Sequence, residues 1–251
     1  MRNIKLLISY DGTDYCGWQK QAENNSSLIS VQALIEAALE KIHKSPVVLT
    51  GSGRTDSGVH AAGQVANFQT NINSIKASRF VWALNGYLPR DIRILEAEEV
   101  PSGFHSRFDA RSRTYRYNFI CGRQALPDEN RYALQLWHYP QINLLNDYCR
   151  LLLGERDCSV FAGAGDTSKT RSRYIFHAAF FIENRRLIFE ITANAFLWKM
   201  VRSIAGTFIY HEERNTPPEK MREIINSGNR SLAGPTLPPN GLFLWHVAFY
   251  N

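Results

Sequence analysis

Residues 51–61 read GSGRTDSGVHA, and they carry more information about fold and chemistry than any other part of the chain. Three glycines within eight residues indicate a loop that needs unusual backbone angles or a close approach by another group. Residues 47–50 before the loop, three of which are β-branched, predict a short strand, and the alternating residues 64–69 after it predict a half-buried one. The stretch therefore predicts a strand-to-strand loop that presents one carboxylate, Asp56, two residues from Arg54.

Several known motifs resemble this loop only in part. A phosphate-binding P-loop needs a lysine where Val59 stands, and a dinucleotide fingerprint needs a third glycine where Asp56 stands. The triplet at 56–58 matches the D-[ST]-G of aspartic proteases, in which two carboxylates share a proton. The sequence has one such triplet, so that interpretation requires a homodimer. A turn without chemical function is also compatible with the loop.

The composition is that of an ordinary globular protein, with 44% hydrophobic and 21% charged residues in 251. No apolar run approaches the ~20 residues of a membrane span, and we expect no signal peptide. The four cysteines lack C-x-x-C spacing and the seven histidines are scattered. We therefore expect neither a metal site nor a disulfide framework, and we infer a reducing, cytoplasmic setting.

The net charge is +6, and the whole positive excess lies in residues 104–251. A one-sided excess that is rich in arginine is compatible with a polyanionic partner. The same modest charge is also compatible with a soluble, mildly basic surface. Charge alone therefore does not identify a partner.

The first part of the chain predicts a strand over residues 4–10, a helix over 31–43 with Ser30 as its N-cap, a helix over 76–85 and a strand over 92–97. The pattern starts again near residue 103. We therefore predict two domains: an N-terminal α+β domain, 1–103, that carries the Asp56 loop, and a basic C-terminal α+β domain, 104–251, that completes the active-site cleft.

The second part begins with a predicted strand over 111–119, which places cationic and aromatic side chains on one face: Arg111, Arg113, Tyr115, Tyr117 and Phe119. Such a face suits RNA, although Tyr117 and Phe119 are also compatible with a buried core. Further along, the pattern predicts a helix over 142–153, an exposed loop over 163–173 and a hairpin formed by 174–182 and 186–192. It then predicts helices over 195–208 and 219–226 and a strand over 242–249.

Arg202 lies inside the mostly apolar predicted helix 195–208. A charged side chain in such a helix is costly unless it is paired or reaches the surface. The order of elements as a whole predicts an α+β fold. We expect two similar RRM- or ferredoxin-like units whose mixed, largely antiparallel sheets lie side by side around a central cleft.

Taken together, the chain resembles the TruA family, the tRNA pseudouridine synthases A. The resemblance covers essentially the whole chain, and the loop at 53–60 is the most specific of the matching segments. The matching segments are 10–13 (YDGT), 17–19 (GWQ) with Gln21, 30–32 (SVQ), 53–60 (GRTDSGVH), 104–108 (FHSRF), 114–117 (TYRY), 194–197 (NAFL), 200–202 (MVR) with Gly206, and 241–244 (GLFL).

The resemblance implies isomerisation of uridine to pseudouridine at positions 38–40 of the tRNA anticodon stem-loop, without cofactor or metal, by a homodimer. It implies that Asp56 is the nucleophile, that Tyr115 contacts the flipped uracil, and that Arg54 helps to hold the displaced nucleotide. Arg107 is expected to contact the substrate or support the loop. We further expect Arg202 to pair with Asp56, because a nearby cation favours the charged carboxylate.

Three chemical routes remain open for Asp56: attack at C1′ of the ribose, attack at C6 of the uracil, or proton abstraction that leads to a glycal. Two other functions also remain open. One is an RNA-binding protein without catalytic activity, and the other is the dimeric aspartic protease.

Overall fold

The computed structural model describes residues 1–20 and 29–250, so that Gln21 lies outside the described part. The described residues contain ten strands and five α-helices, and the mixed α/β character predicted from the sequence is confirmed. In chain order they are β1 (Arg2–Tyr10), α1 (Val31–His43), β2 (Thr50–Gly51), β3 (His60–Thr70), α2 (Phe80–Asn85), β4 (Ile92–Val100), β5 (Ala110–Cys121), β6 (Leu134–Leu136), α3 (Ile142–Arg150), β7 (Gly154–Asp157), β8 (Ser172–Glu183), β9 (Arg186–Ala193), α4 (Met200–Glu212), α5 (Pro218–Asn226) and β10 (Leu242–Phe249).

The chain forms two compact units. Unit 1 consists of Met1–Arg111 and Phe243–Asn251, and unit 2 consists of Ser112–Leu242. These limits differ from the predicted domains 1–103 and 104–251, because the last strand pairs with β3 and so belongs to unit 1. The division into functional domains stays a prediction.

The sheet of unit 1 is built around β1 and β3. β1 pairs antiparallel with both β3 and β4, and β2 pairs antiparallel with β3. β10 runs parallel to the first residues of β3, where Phe243 lies beside His60. The strand β3 was predicted to be half-buried, and this is wrong: its polar side chains Gln64 and Asn67 are buried as well.

One face of the unit 1 sheet is covered by helices. Ile4 and Phe68 are direct partners across β1 and β3, and the Phe68 ring packs edge-on against Phe80 of α2 at 5.3 Å. α1 buries Ile35 and Leu39 on the side of the apolar stripe predicted for it. Successive residues of a strand point to opposite faces, so Lys5 and Asn67 face away from these helices.

The sheet of unit 2 has the order β5-β9-β8-β7, and all three neighbouring pairs are antiparallel. β6 adds a short parallel pairing to β5. The predicted hairpin of β8 and β9 is confirmed, with Glu183 opposite Arg186. Asn184 and Arg185 between them both have positive φ, as a two-residue turn that matches strand twist requires.

The core of unit 2 contains a cluster of aromatic rings. Phe180 of β8 lies 4.7 Å from Phe189 of β9, and Phe189 lies 6.4 Å from Phe208 of α4. Tyr117 and Phe119 of β5 are fully buried, so the core interpretation of these two residues is correct. Burial raises the pKa of the Tyr117 phenol above its ordinary value, and its hydroxyl donates to the Pro238 carbonyl at 2.6 Å.

Several predicted bounds are wrong for local reasons. The helix predicted over 195–208 begins only at Met200, because Lys199 before it has a left-handed backbone with φ of 60°. The helix predicted over 142–153 ends at Arg150, and the one predicted over 76–85 begins as a 3₁₀ turn. The helix over 31–43 and the strand over 242–249 are confirmed.

Hydropathy gives one further result. Among the described residues, none of the helices is both long enough and apolar enough to cross a membrane.

The N-cap of α1 can be tested directly. The Ser30 hydroxyl accepts a hydrogen bond from the Ala33 backbone at 3.2 Å, so Ser30→Ala leaves an N–H of the first turn without its partner. We expect the free energy of unfolding in urea to fall by about 1 kcal/mol. Ser102→Ala, on an exposed turn, is the matched control and should change it by less than about 0.5 kcal/mol. An equal effect of the two variants would contradict the capping role.

Candidate active site

The loop that carries Asp56 is closed by a buried glutamine. The Ser52 backbone N–H donates to the Val65 carbonyl at 2.8 Å, where the chain leaves β2. Gln64, which is fully buried, accepts from the Ser52 hydroxyl at 2.7 Å and donates to the Gly53 carbonyl at 2.8 Å. One side chain of β3 therefore holds the beginning of the loop in a fixed path.

Thr55 anchors the residue next to Asp56. Its side chain is buried, and its hydroxyl forms a hydrogen bond with the Tyr10 hydroxyl at 2.8 Å. Its carbonyl accepts the Trp18 backbone N–H at 3.2 Å. The backbone just before Asp56 is thus tied both to the end of β1 and to the turn that follows it.

The backbone after Asp56 is held in the same way. The Tyr15 carbonyl accepts both the Gly58 N–H at 3.3 Å and the Ser57 hydroxyl at 3.1 Å. Burial raises the pKa of the Tyr15 phenol, and its hydrogen bond to Asp91 at 2.7 Å adds to the rise. Tyr15 therefore stays a neutral donor that fixes the turn at 11–18 beneath the loop.

Two glycines of that turn allow the backbones to approach closely. A Cβ atom on Gly17, which has a φ of 101°, would lie 2.4 Å from the Thr55 carbonyl oxygen. A Cβ atom on Gly12 would lie 2.0 Å from the Val59 carbonyl oxygen. No side chain fits at either position, so the sequence motif of the turn and that of the loop are sterically coupled.

Arg54 and Asp56 flank the buried Thr55. The Arg54 side chain is exposed and that of Asp56 is half-buried. The backbone on both sides of Asp56 is fixed by hydrogen bonds, and partial burial leaves the carboxylate accessible to a ligand. This is the arrangement that a positioned nucleophile or base requires.

The segment 104–108, which contains Arg107, is attached to the same strands. The buried Asn67 side chain accepts the Ser106 N–H at 3.0 Å, and the Ser106 hydroxyl donates to the Thr50 carbonyl at 2.5 Å. Asn3 donates to the Phe104 carbonyl at 2.8 Å. The structure therefore places Arg107, which is exposed, in the same unit as Arg54 and Asp56.

Tyr115 and Arg202 belong to unit 2. The Tyr115 ring is largely buried and meets the Phe196 ring edge-on at 5.0 Å. Arg202 lies in the first turn of α4 rather than well inside a helix, which corrects the prediction. Its Nε atom donates to the Leu237 carbonyl at 2.7 Å, and the Leu237 N–H donates to the Arg202 carbonyl at 3.3 Å.

The segment before α4 is fastened by residues that the sequence reasoning missed. Asp166 accepts the Trp198 backbone N–H at 2.6 Å, and the Trp198 carbonyl accepts the Gly163 N–H at 2.9 Å. Burial opposes ionisation of Asp166, but the N–H groups of Trp198 and Ser168 together lower its pKa. The predicted exposed loop 163–173 is thereby attached to Trp198, which directly follows the NAFL motif.

Gln64, Asn67 and Asp166 were not expected to contribute to the site. Gln64 and Asn67 stand in a strand whose alternation suggested exposure, and only their burial reveals the role. Residues 1–20 and 29–250 contain no group of three or more His, Cys, Asp or Glu side chains that could hold a metal ion.

Comparison with known proteins identifies the family. The architecture places the chain among the mixed α/β proteins. A family model described as tRNA pseudouridine synthase matches residues 6–109 and 148–250. The chain therefore belongs to the tRNA pseudouridine synthase family.

Relatives named tRNA pseudouridine synthase A confirm the resemblance to that subfamily. The chain is 52% identical to one from Treponema denticola over 249 residues, which cover 99% of this chain and 93% of the relative. It is 40% identical to tRNA pseudouridine synthase A 2 of Clostridium perfringens over 250 residues, the full length of both. A crystal structure of an archaeal box H/ACA Nop10–Cbf5 complex aligns with 82% of this chain and 43% of the other chain, at 10% identity and a TM-score of 0.32.

The close contact at Gly17 makes a prediction about stability. Gly17→Ala places a methyl group against the Thr55 carbonyl and imposes a strained backbone angle, so we expect a loss of about 1–3 kcal/mol in the free energy of unfolding. Gly103→Ala is the matched control, since no atom lies within 4 Å of its added Cβ. Urea unfolding of both variants checks this. Equal stability of the Gly17 and Gly103 variants would show that the turn and the loop are not coupled.

Proposed function

We propose that the protein isomerises uridine to pseudouridine at positions 38–40 of the tRNA anticodon stem-loop. Its family and its relatives support an isomerase that acts on tRNA. The observation that carries the proposal for this chain is the Asp56 loop, in which Thr55 and Gly58 are both hydrogen-bonded to the turn at 11–18 or to the end of β1.

The reaction exchanges one bond to the ribose for another. The bond from uracil N1 to C1′ breaks, the base turns, and C5 bonds to C1′. C5 loses a proton and N1 gains one, so the product has the same atoms and the same oxidation state as the substrate. A single carboxylate can assist such a reaction as nucleophile or base, and Asp56 is the group that we assign to it.

Asp56 must be ionised on each of the three routes, through C1′, C6 or a glycal. A guanidinium close to a half-buried carboxylate favours the charged form. We propose that Arg202 pairs with Asp56 in the working enzyme. The hydrogen bond from the Arg202 Nε atom to the Leu237 carbonyl supports this role, because it restricts the rotation of the arginine side chain.

The target base lies in or beside a stem and must leave the stack, at a cost of a few kcal/mol. We propose that Tyr115 contacts the flipped uracil, that Arg54 holds the displaced nucleotide and that Arg107 contacts the substrate. The exposure of Arg54 and Arg107 is compatible with contacts to RNA phosphates. The edge-on packing of Tyr115 on Phe196 gives its ring a fixed orientation.

The finer architecture is also part of the proposal. We propose two RRM- or ferredoxin-like units around a central cleft, working as a cytoplasmic homodimer that binds tRNA without cofactor or metal. The antiparallel order β4-β1-β3-β2 in unit 1 supports the ferredoxin-like description. The homodimer and the location follow from the resemblance to the family.

Asp56→Asn is the first test of the mechanism. The variant keeps the shape of the side chain and loses its charge, so we expect it to bind tRNA and to form no pseudouridine. Tritium release from tRNA labelled at C5 of uridine measures turnover, because C5 loses its hydrogen in the reaction. Asp128→Asn, on an exposed turn of unit 2, is the matched control and should turn over like the unaltered protein. Substantial turnover by Asp56→Asn would exclude Asp56 as the reacting group.

An unaltered protein that forms no pseudouridine would favour one of the two other functions. Binding of unmodified tRNA without tritium release would favour the RNA-binding protein without activity. Pepstatin-sensitive cleavage of peptides would favour the aspartic protease instead.

Tyr115 makes a separate prediction about binding. Tyr115→Phe keeps the aromatic ring that packs on Phe196, so its affinity for tRNA should stay within about twofold of the unaltered protein. Tyr115→Ala removes the ring, and we expect affinity to fall on the order of tenfold, the size of one lost stacking contact. Filter binding at a fixed salt concentration checks both. Equal losses in the two variants would assign the contact to the hydroxyl rather than to the ring.

A further inference from the structure

Two aromatic side chains of unit 1 are unusually exposed, and each is paired with an arginine. Phe108 is 74% exposed and Tyr250 is 72% exposed. The guanidinium carbon of Arg107 lies 5.8 Å from the centre of the Phe108 ring, and that of Arg111 lies 5.7 Å from the centre of the Tyr250 ring. We call these four residues the arginine–aromatic patch.

The four residues belong to segment 104–111 and to the end of β10, which contact each other. Segment 104–111 touches the end of β10 at both of its ends: the Phe104 ring lies 5.1 Å from Phe249, and Arg111 lies over Tyr250. The Lys5 Nζ atom lies 5.9 Å from the Phe104 ring and 5.7 Å from the Phe249 ring. Lys5 thus packs against two aromatic rings of this region, while its Nζ atom forms an ion pair with Glu98.

Segment 104–108, which carries Arg107 and Phe108, lies on the face of the unit 1 sheet opposite α1 and α2. Lys5 and Asn67 are partners across β1 and β3, and they point away from the helix-covered face of Ile4 and Phe68. Asn67 holds segment 104–111 through Ser106. β3, which follows the Asp56 loop, therefore also holds the segment that carries Arg107 and Phe108.

The backbone of the patch is fixed before any ligand arrives. The Asp109 carboxylate accepts the His105 N–H at 2.8 Å, and the His105 Nδ1 atom accepts the Arg107 and Phe108 N–H groups at 3.2 and 3.3 Å. The His105 ring also contacts the Phe108 ring, with centres 4.3 Å apart. An exposed ring that is already ordered loses little conformational freedom when another ring stacks on it.

Rigid aromatic rings and arginines together suit unpaired nucleotides. A base stacks on an aromatic ring or on a guanidinium plane, while the arginines also neutralise the neighbouring phosphates. Aromatic residues and arginine also occur at protein interfaces. The two arginines of the patch and membership of a tRNA-modifying family favour RNA as the occupant.

We propose that the arginine–aromatic patch binds unpaired nucleotides of the tRNA substrate outside the target uridine. The proposal rests on the proposed function and extends it, since it adds Phe108, Arg111 and Tyr250 to the residues expected to contact RNA. The rings supply stacking, and Arg107 and Arg111 supply contacts with phosphates.

The test measures affinity without turnover. The probe is an unmodified tRNA transcript with cytidine at positions 38–40, which cannot react. Phe108→Leu and Tyr250→Leu should each weaken binding on the order of tenfold, with an unchanged slope of affinity against salt. Arg107→Gln and Arg111→Gln should each lower the magnitude of that slope by about 1.

Trp82→Leu is the matched control, because Trp82 is 75% exposed in the same unit but stands on α2, outside segment 104–111 and the end of β10. The affinity of Trp82→Leu for the transcript should stay within about twofold of that of the unaltered protein. Both leucine variants of the patch should also unfold at the unaltered temperature, since their rings are exposed. An affinity within twofold for the Phe108→Leu/Tyr250→Leu double variant overturns the proposal, and so does an equal loss in Trp82→Leu.

The proposed function and the patch proposal would be contradicted by different results. If the unaltered protein releases no tritium from any tRNA, the proposed function is wrong and the patch loses its basis. If it releases tritium but the double variant binds the transcript normally, only the patch proposal is wrong. In the latter case, weakened association of the double variant with another protein would assign the patch to a protein interface.

Discussion

The hydrogen bond between the Tyr10 and Thr55 hydroxyls is the contact on which the proposed chemistry depends. It lies in the interior, and it ties the residue before Asp56 to the last residue of β1. The Trp18 N–H holds the Thr55 carbonyl from a second direction. A reaction is faster when the reacting group is already held in place. The group then loses its conformational entropy during folding rather than at the reaction step. Thr55 has no chemical role of its own in this account and yet determines where the carboxylate lies.

Both units use side-chain hydrogen bonds to fix a loop. Polar side chains at the edge of the core hydrogen-bond to the backbone of a loop: Gln64 and Asn67 in unit 1, and Asp166 in unit 2. A loop that is bonded in this way has few free N–H and C=O groups and therefore needs no regular secondary structure to be well defined. The residues expected to contact RNA can then be exposed without being poorly positioned.

Much of the fold could be predicted from local patterns. The helix Val31–His43 was found from its apolar stripe and from Ser30, and the turn at 184–185 from polar residues between two strands. The start of α4 was missed, because residues 195–199 are apolar enough for a helix and only the left-handed Lys199 and the Asp166 contact prevent one. Asp56, Arg54 and Arg107 could be named from a motif, whereas Gln64 and Asn67 could not, since burial of an amide in a strand depends on contacts between segments distant in sequence.

The most direct test is a crystal structure of Asp56→Asn bound to unmodified tRNA, in which the side chain of residue 56 takes the place of the reactive carboxylate without turnover. The account predicts a uracil outside its stack, with its C6 or the attached C1′ within about 3.5 Å of that side chain, the distance of a group ready to react. It also predicts that the bond from Tyr10 to Thr55 is unchanged. A target uridine that stays paired in its stem, or a residue 56 that points away from it, would contradict the account.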